Sequence, residues 1–182
     1  MSTRAYIFLR LKPSKKARTI KFSIDKLPKC MRDKCVMDSP IQDMKIPAGA
    51  TYVGVYHHFD GYITGLGAEL NKHYKSYDRI LNLLTMGDFR TIQGKIKSYQ
   101  GIGYKGVNSA LFIDDETLTP EKACADISYA YLFDGKKWWV CHWQYDYERH
   151  SKSYISNWVD LSDAIEKVNE EITIRKCRLA NK

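Results

Sequence analysis

His57, His58, Asp60 and Tyr62 fall together in the stretch Tyr52-Val-Gly-Val-Tyr-His-His-Phe-Asp-Gly-Tyr62. An aspartate beside a histidine can orient the imidazole for general-base work, and a nearby tyrosine can donate a hydrogen bond. His58 and Asp60 are therefore candidates for an acid–base pair with Tyr62 as donor, a set that suits a nucleotide- or phosphoester-binding protein or hydrolase. The competing reading is structural: Asp-Gly is turn chemistry, in which Asp60 caps backbone amides and His58 bonds locally. No Ser or Cys nucleophile lies nearby in sequence, and His73, His142 and His150 are scattered, so the structural reading is preferred. Adjacent histidines on a strand point to opposite faces, so His57 and His58 share a metal only if the strand bends at the turn. Cys30 and Cys35 form C-x₄-C without a second Cys or His pair at zinc-finger spacing. No metal and no cofactor is expected.

The second chemistry written in the chain is charge. Residues 1–50 carry twelve Lys and Arg against four Asp, a balance of +8, and the remainder balances 17 basic against 17 acidic residues. A basic block of this kind attracts phosphates and speeds encounter with a polyanion. Lys12, Lys15, Lys16, Arg18 and Lys21 are the candidate nucleic-acid contacts. Lys95, Lys97, Tyr99, Tyr104 and Lys105 are a second set, the tyrosines serving as stacking surfaces. Gly101-Ile-Gly-Tyr-Lys-Gly106 spells G-x-G-x-x-G, but no apolar strand precedes it and no clear helix follows, so a dinucleotide site is not expected.

Several elements must position these groups. Tyr6–Leu11 reads as a buried strand, and Thr19–Ile24 alternates as a half-exposed strand with Ile20, Phe22 and Ile24 inward. Leu27–Gly49 reads as loop with at most one helical turn. Thr51–His58 is the strand that enters the His-His-Phe-Asp-Gly turn. Leu66, Leu70 and Tyr74, then Tyr77, Ile80, Leu81 and Leu84, mark two helices, with Ser76 as N-cap of the second and Gly87 as its stop. Val107–Ile113 reads as a short strand. Thr119-Pro120 starts a brief helix, and Ile127–Phe133 with Trp138–Tyr145 flank an Asp134-Gly hairpin turn. In that hairpin Trp139, Cys141, Trp143 and Tyr145 form one set for core or interface, and Trp138, Val140 and His142 face the other way. Cover for both faces comes from the last helix, with its stripe Leu161, Ile165, Val168 and Ile172, or from a second protomer, which makes a homodimer one expected partner state.

These elements add up to a single α+β domain over 1–182, mainly antiparallel sheet with three to four short helices packed on it, and 12–50 a basic, loop-rich segment. The 44% apolar content supports a packed core. Five scattered cysteines read as reduced buried thiols. No apolar run is long enough to span a membrane and the start is not a signal peptide, so an intracellular place and no membrane partner are expected.

Met1-Ser-Thr-Arg4, His58-Phe-Asp-Gly-Tyr62, Gly65-Leu-Gly67, Leu70, Tyr74 and Met86-Gly-Asp88 resemble the marks of a family of uncharacterised phage and prophage proteins. Its members begin Met-Ser-Thr-Arg and carry a His-Trp-Asp-Gly-Tyr core, followed by a helix with a small-Gly-x-x-Leu start and a second helix ending in Gly-Asp. The hairpin Tyr129–Gly135 with Trp138 or Trp139 also looks like the family's C-terminal part. Phe59 stands where the family has Trp, and the basic segment after Leu11 is longer. The resemblance covers about half the chain and implies a mobile-element origin without attaching an activity. Small phage proteins of this kind, including some anti-CRISPR proteins of type II systems, act by binding host machinery. By that analogy the expected partner is nucleic acid or a nucleoprotein such as a host RNA-guided nuclease, in the cytoplasm of a bacterial host.

Overall fold

The computed structural model describes residues 3–100, 110–125, 127–145 and 153–180. In chain order the strands are β1 (Ala5–Arg10), β2 (Arg18–Ile20), β3 (Cys35–Val36), β4 (Met44–Ile46), β5 (Tyr52–His57), β6 (Phe89–Thr91), β7 (Ile96–Ser98), β8 (Leu111–Ile113), β9 (Tyr129–Phe133), β10 (Trp138–Tyr145), β11 (Ser153–Ile155) and β12 (Val159–Asp160). The helices are α1 (Lys29–Arg32), α2 (Ala68–His73), α3 (Tyr77–Leu84), α4 (Pro120–Ala123) and α5 (Leu161–Ala180). Tyr104, Lys105, the Gly101–Gly106 spelling, His150 and the side chain of Tyr145 lie outside the described residues.

The fold is α+β. One sheet runs β11-β10-β9-β1-β5-β6-β7-β3, with β12 also on β10 and β8 also on β5, while β2 and β4 pair separately. Antiparallel pairings prevail, and β1–β9, β5–β6 and β3–β7 run parallel. The apolar run of β1 follows from its central place. Ile7 and Leu9 join one core, with Val53, Val55, Tyr131, Phe133, Trp138 and Val140, beneath α2, α3 and the first turns of α5. Phe8 joins a second, smaller core on the other face, with Leu118, Ala123, Cys124, Ala130, Leu132 and Cys141, beneath α4 and its approach.

Local signals are obeyed where they bind backbone. The Asp134 carboxylate accepts the N–H groups of Lys136 and Lys137 at 2.8 and 2.9 Å, closing the β9–β10 hairpin. Thr119 Oγ1 caps α4 by accepting from Lys122 N–H. Ser76 sits at the N-cap of α3 without a side-chain cap bond, and Gly87 ends that helix at φ 70°.

Five expectations are corrected. The strand at Thr19–Ile24 is only β2, followed by a 3₁₀ turn over Ile24–Lys26, and Ile24 is 40% exposed. Leu27–Gly49 contains β3 and β4 as well as the helical turn α1. Of the five cysteines only Cys124 and Cys141 are buried, while Cys30 and Cys177 are exposed. Trp143 is 42% exposed, with its indole N–H donating to Cys124 O at 3.0 Å. The final helix is also not short. Leu161 is buried and Ala164, Ile165 and Val168 are half-buried against the core, yet every residue from Asn169 to Leu179 is exposed. At 1.5 Å per residue, that half extends about 16 Å past the packed half.

Candidate nucleic-acid interface

The turn after β5 is shaped by three backbone demands. Asp60 takes a left-handed φ of 57°, and its carbonyl accepts Leu66 N–H at 2.9 Å and the Gln93 side-chain amide at 3.2 Å. Gly61 N–H donates to Thr3 O at 2.8 Å, and Gly61 O accepts the Tyr131 hydroxyl at 2.8 Å. The chain then widens into a π-type turn over Ile63–Gly67, where Gly67 N–H reaches back five residues to Tyr62 O.

The two histidines separate as strand alternation requires. His57 is fully buried, and its Nε2 accepts Ile92 N–H at 3.2 Å. That leaves the ring proton on Nδ1, which has no hydrogen-bond partner among the described residues. Burial first, and the neighbouring His58 second, push the His57 pKa down to about 3. The unfolded chain therefore binds a proton near pH 6.5 that the folded chain refuses until about pH 3. Stability from this group is complete above about pH 6.5 and is lost as pH falls toward 3, with a slope of at most about 1.4 kcal/mol per pH unit. Thermal melts between about pH 7 and pH 4 should show the loss, and His57→Leu should flatten it. An unchanged pH dependence in that variant would remove His57 as the cause.

His58 lies on the opposite face, where its Nδ1 shares a 2.8 Å hydrogen bond with the Tyr56 hydroxyl. Asp60 is engaged through its carbonyl, and Tyr62 is partly exposed. The group that His58 joins is aromatic and cationic. Tyr6 on β1 pairs in register with Tyr56 on β5, so both rings share a face, 6.0 Å apart. Tyr56 leads to His58 at 5.8 Å, His58 to Phe59 at 4.4 Å, and the Arg90 guanidinium lies 5.8 Å from the Phe59 ring centre. Lys97 alternates with buried Ile96 and Ser98 on β7, which puts it on this side of the sheet. The Asp88 carboxylate accepts Tyr56 N–H at 2.8 Å, and the half-buried Tyr99 donates its N–H to Asp88 O at 2.9 Å. Lys97 thus shares a sheet face with Tyr56, and Tyr99 is tied by its backbone to the same Asp88, while Lys95 is exposed in the turn before β7. Tyr6, Tyr56 and Arg90 were missed from sequence; the alternation Tyr6-Ile7-Phe8 hints at a second aromatic face, but only the register pairs it with Tyr56.

Lys12, Lys15, Lys16, Arg18 and Lys21 sit at the other end of β5. Lys12 follows β1, whose last pair is Arg10 with Tyr52, whereas Arg90 and Lys97 lie beyond His57. The five steps between Tyr52 and His57 place the two ends roughly 17 Å apart. Lys12 N–H donates to the Tyr77 hydroxyl at 3.2 Å, and its Nζ is 4.6 Å from that ring's centre. Arg18 is half-buried and its Nη2 donates to Lys12 O at 3.0 Å, so it braces the segment, leaving Lys12, Lys15, Lys16 and Lys21 as the outward cations. A cleft of about 1010 Å³ opens here, lined by Arg10, Lys12, Lys15, Thr51, Tyr77 and Glu116 among others. Asp134 also lines it. Burial pushes the Asp134 carboxyl up, but hydrogen bonds from Lys137 N–H, the Trp139 indole and Lys136 N–H together hold it below the usual carboxylate range.

No group of three or more His, Cys, Asp or Glu side chains placed to hold a metal ion occurs among the described residues. Nor is any described helix long and apolar enough to cross a membrane. No family model, curated protein or solved structure matches the chain.

Proposed function

We propose that this chain is a phage or mobile-element accessory protein that binds nucleic acid, or a nucleoprotein such as a host RNA-guided nuclease, and thereby inhibits a nucleic-acid-targeting defence. The observation that carries the binding is the run Lys12–Lys21. It holds five cations and no carboxylate; four of the cations are exposed, and two of these, Lys12 and Lys15, line an open cleft. Phosphate contacts from such lysines supply affinity without reading sequence. The face of Tyr6, Tyr56, His58, Phe59 and Arg90 adds rings and a guanidinium of the kind that stack on unpaired bases, favouring single strands over duplex. Fluorescence anisotropy with labelled single-stranded and duplex oligonucleotides is the test. Affinity is expected to fall steeply with salt, and reversal of Lys12, Lys15 and Lys16 to Glu should lower the log–log salt slope by about 2–3. Absence of low-salt binding to either oligonucleotide, together with unimpaired inhibition by the charge-reversed protein, would overturn the proposal.

The exposed half of α5 supports a second copy of this chain as a further partner. Its apolar stripe continues from Val168 through Ile172 to Leu179, the last 73% exposed. Exposed β-branched Ile172, Thr173 and Ile174 disfavour an isolated helix of this length. Charge is biased along the axis, Glu166, Glu170 and Glu171 outweighing Lys167 before Arg175, Lys176 and Arg178. Two copies laid antiparallel set each acidic half against a basic half and keep the two bodies apart. Sedimentation equilibrium is expected to show a dimer that Ile172→Asp with Leu179→Asp converts to monomer. A wild-type protein monomeric at high micromolar concentration would exclude it.

A further inference from the structure

The helical turn α1 brings Cys30 against α2, 43 residues further along the chain. Cys30 Sγ lies 3.6 Å from His73 Nδ1, and His73 Nε2 lies 3.7 Å from Glu69 Oε2. Thiol, imidazole and carboxylate are thus arranged in series, each ring nitrogen facing a different neighbour. That is the order of groups in an activated nucleophile, a base beside the nucleophile and a third group beyond the base, at the looser separations of a site without substrate. Glu69 Oε2 is buried without a hydrogen-bond partner among the described residues, so a proton on the Nε2 that faces it meets that need and turns the Nδ1 lone pair to the thiol. The exposures divide as such a relay needs. Cys30 is exposed, whereas the His73 and Glu69 side chains are 18% and 26% exposed. Arg79 Nη1 donates to His73 O at 3.1 Å and steadies the end of α2.

The neighbouring residue carries an unsatisfied group of its own. Tyr74, next to His73, is fully buried, and its hydroxyl has no hydrogen-bond partner among the described residues. Burial chiefly, and then Glu69, Cys35 and Cys30, push its phenol well above the usual range. A buried O–H donor without a partner is costly, so the core carries an unpaired phenol one residue beyond His73.

We propose that Cys30, His73 and Glu69 form a thiol nucleophile relay that accepts acyl groups from esters or thioesters. As Cys30 Sγ bonds to the carbonyl carbon, the thiol proton passes to His73 Nδ1 and the carbonyl π pair moves onto oxygen. Collapse of that oxyanion breaks the bond to the alkoxide or thiolate leaving group, which takes the proton from Nδ1. Water, deprotonated by His73, then attacks the acyl-Cys30 thioester, releases the carboxylic acid and restores the thiol. Glu69 is a positioning residue, holding the tautomer and ring orientation. The relay uses none of the residues assigned to nucleic acid and stands or falls apart from that reading.

The test uses the full chain and p-nitrophenyl acetate as probe, read by the nitrophenolate burst and by peptide mass spectrometry. Cys177, exposed on α5, is an internal reference within the same molecule. Acetylation of Cys30 is expected to outpace that of Cys177, and His73→Gln should slow it by about 100-fold or more. Glu69→Gln should slow it less, with Glu69→Asp restoring part of the rate. Cys30→Ser should remove the burst. Equal rates at Cys30 and Cys177 in the unaltered protein overturn the proposal whatever the variants do. So does a natively folded His73→Gln protein whose Cys30 reacts at the original rate.

Discussion

Replacing Trp138 with alanine is expected to destabilise the fold by about 3–5 kcal/mol, a third or more of the stability of an ordinary domain. Trp138 is 3% exposed, opens β10, and packs edge-on against Phe133 at 5.3 Å across the hairpin. Its indole N–H donates to Tyr74 O at 2.7 Å, and Tyr74 is the residue that closes α2 by donating its own N–H to Leu70 O. One side chain therefore fills the core beside β9 and ties the hairpin to the helix end. Alanine would lose both and leave a cavity with an orphaned carbonyl. Trp138→Phe keeps ring volume but leaves Tyr74 O unpaired, and should cost about 1–3 kcal/mol. Urea denaturation at constant m-value separates the two. A loss below about 1 kcal/mol for the alanine variant would mean that the hairpin is held by strand pairing alone.

What the chain announced and what it hid divide by range. The Asp134 turn, the Thr119-Pro120 start and the Gly87 stop are local, each the outcome of a side chain bonding its own backbone or of a positive φ. Strand β1 was legible because an apolar run with both neighbours covered is what a central strand needs. Its partner was not: Ala5 pairs with Tyr129 in parallel, and alternation says which face a residue takes, never which strand lies beside it. The same limit hid Tyr6 beside Tyr56 and Cys30 beside His73, pairs made only by the fold. Ile24 misled because it continued the alternation of Ile20 and Phe22 after the strand had ended in a 3₁₀ turn. In α5 the stripe of Leu161, Ile165, Val168 and Ile172 is uniform in sequence, but only its first half meets a core. Amphipathicity states a need for cover and is silent on whether the same chain supplies it.

Gly61→Ala is expected to cost about 2–3 kcal/mol, although the change adds one methyl group to an Asp-Gly turn that reads as a surface feature. A Cβ there would lie 2.7 Å from Thr3 O and 2.8 Å from the Ala5 Cβ, both belonging to the chain that enters β1. That backbone is fixed by pairing on two sides, with β5 and with β9, so it cannot step back. The methyl would instead push the turn outward, stretching Gly61 N–H from Thr3 O and Gly61 O from the Tyr131 hydroxyl. Gly94 makes the contrast: at φ +63° with nothing near its Cβ, alanine there meets only backbone strain and should cost about 1 kcal/mol. Tyr131→Phe removes the other anchor, and its effect should be less than additive with Gly61→Ala because the two changes break one shared bond. Chemical denaturation of the three single variants and the double variant settles the point. The cost at Gly61 should clearly exceed that at Gly94 if the close approach to β1 dominates, and equal small costs at the two would refute it. The spelling His-Phe-Asp-Gly-Tyr then has a physical reason that needs no catalysis. His57 is drawn inward and His58 outward by the strand, Asp60 bends left-handed so that its carbonyl can start the π-type turn, and Gly61 is bare because β1 lies against it.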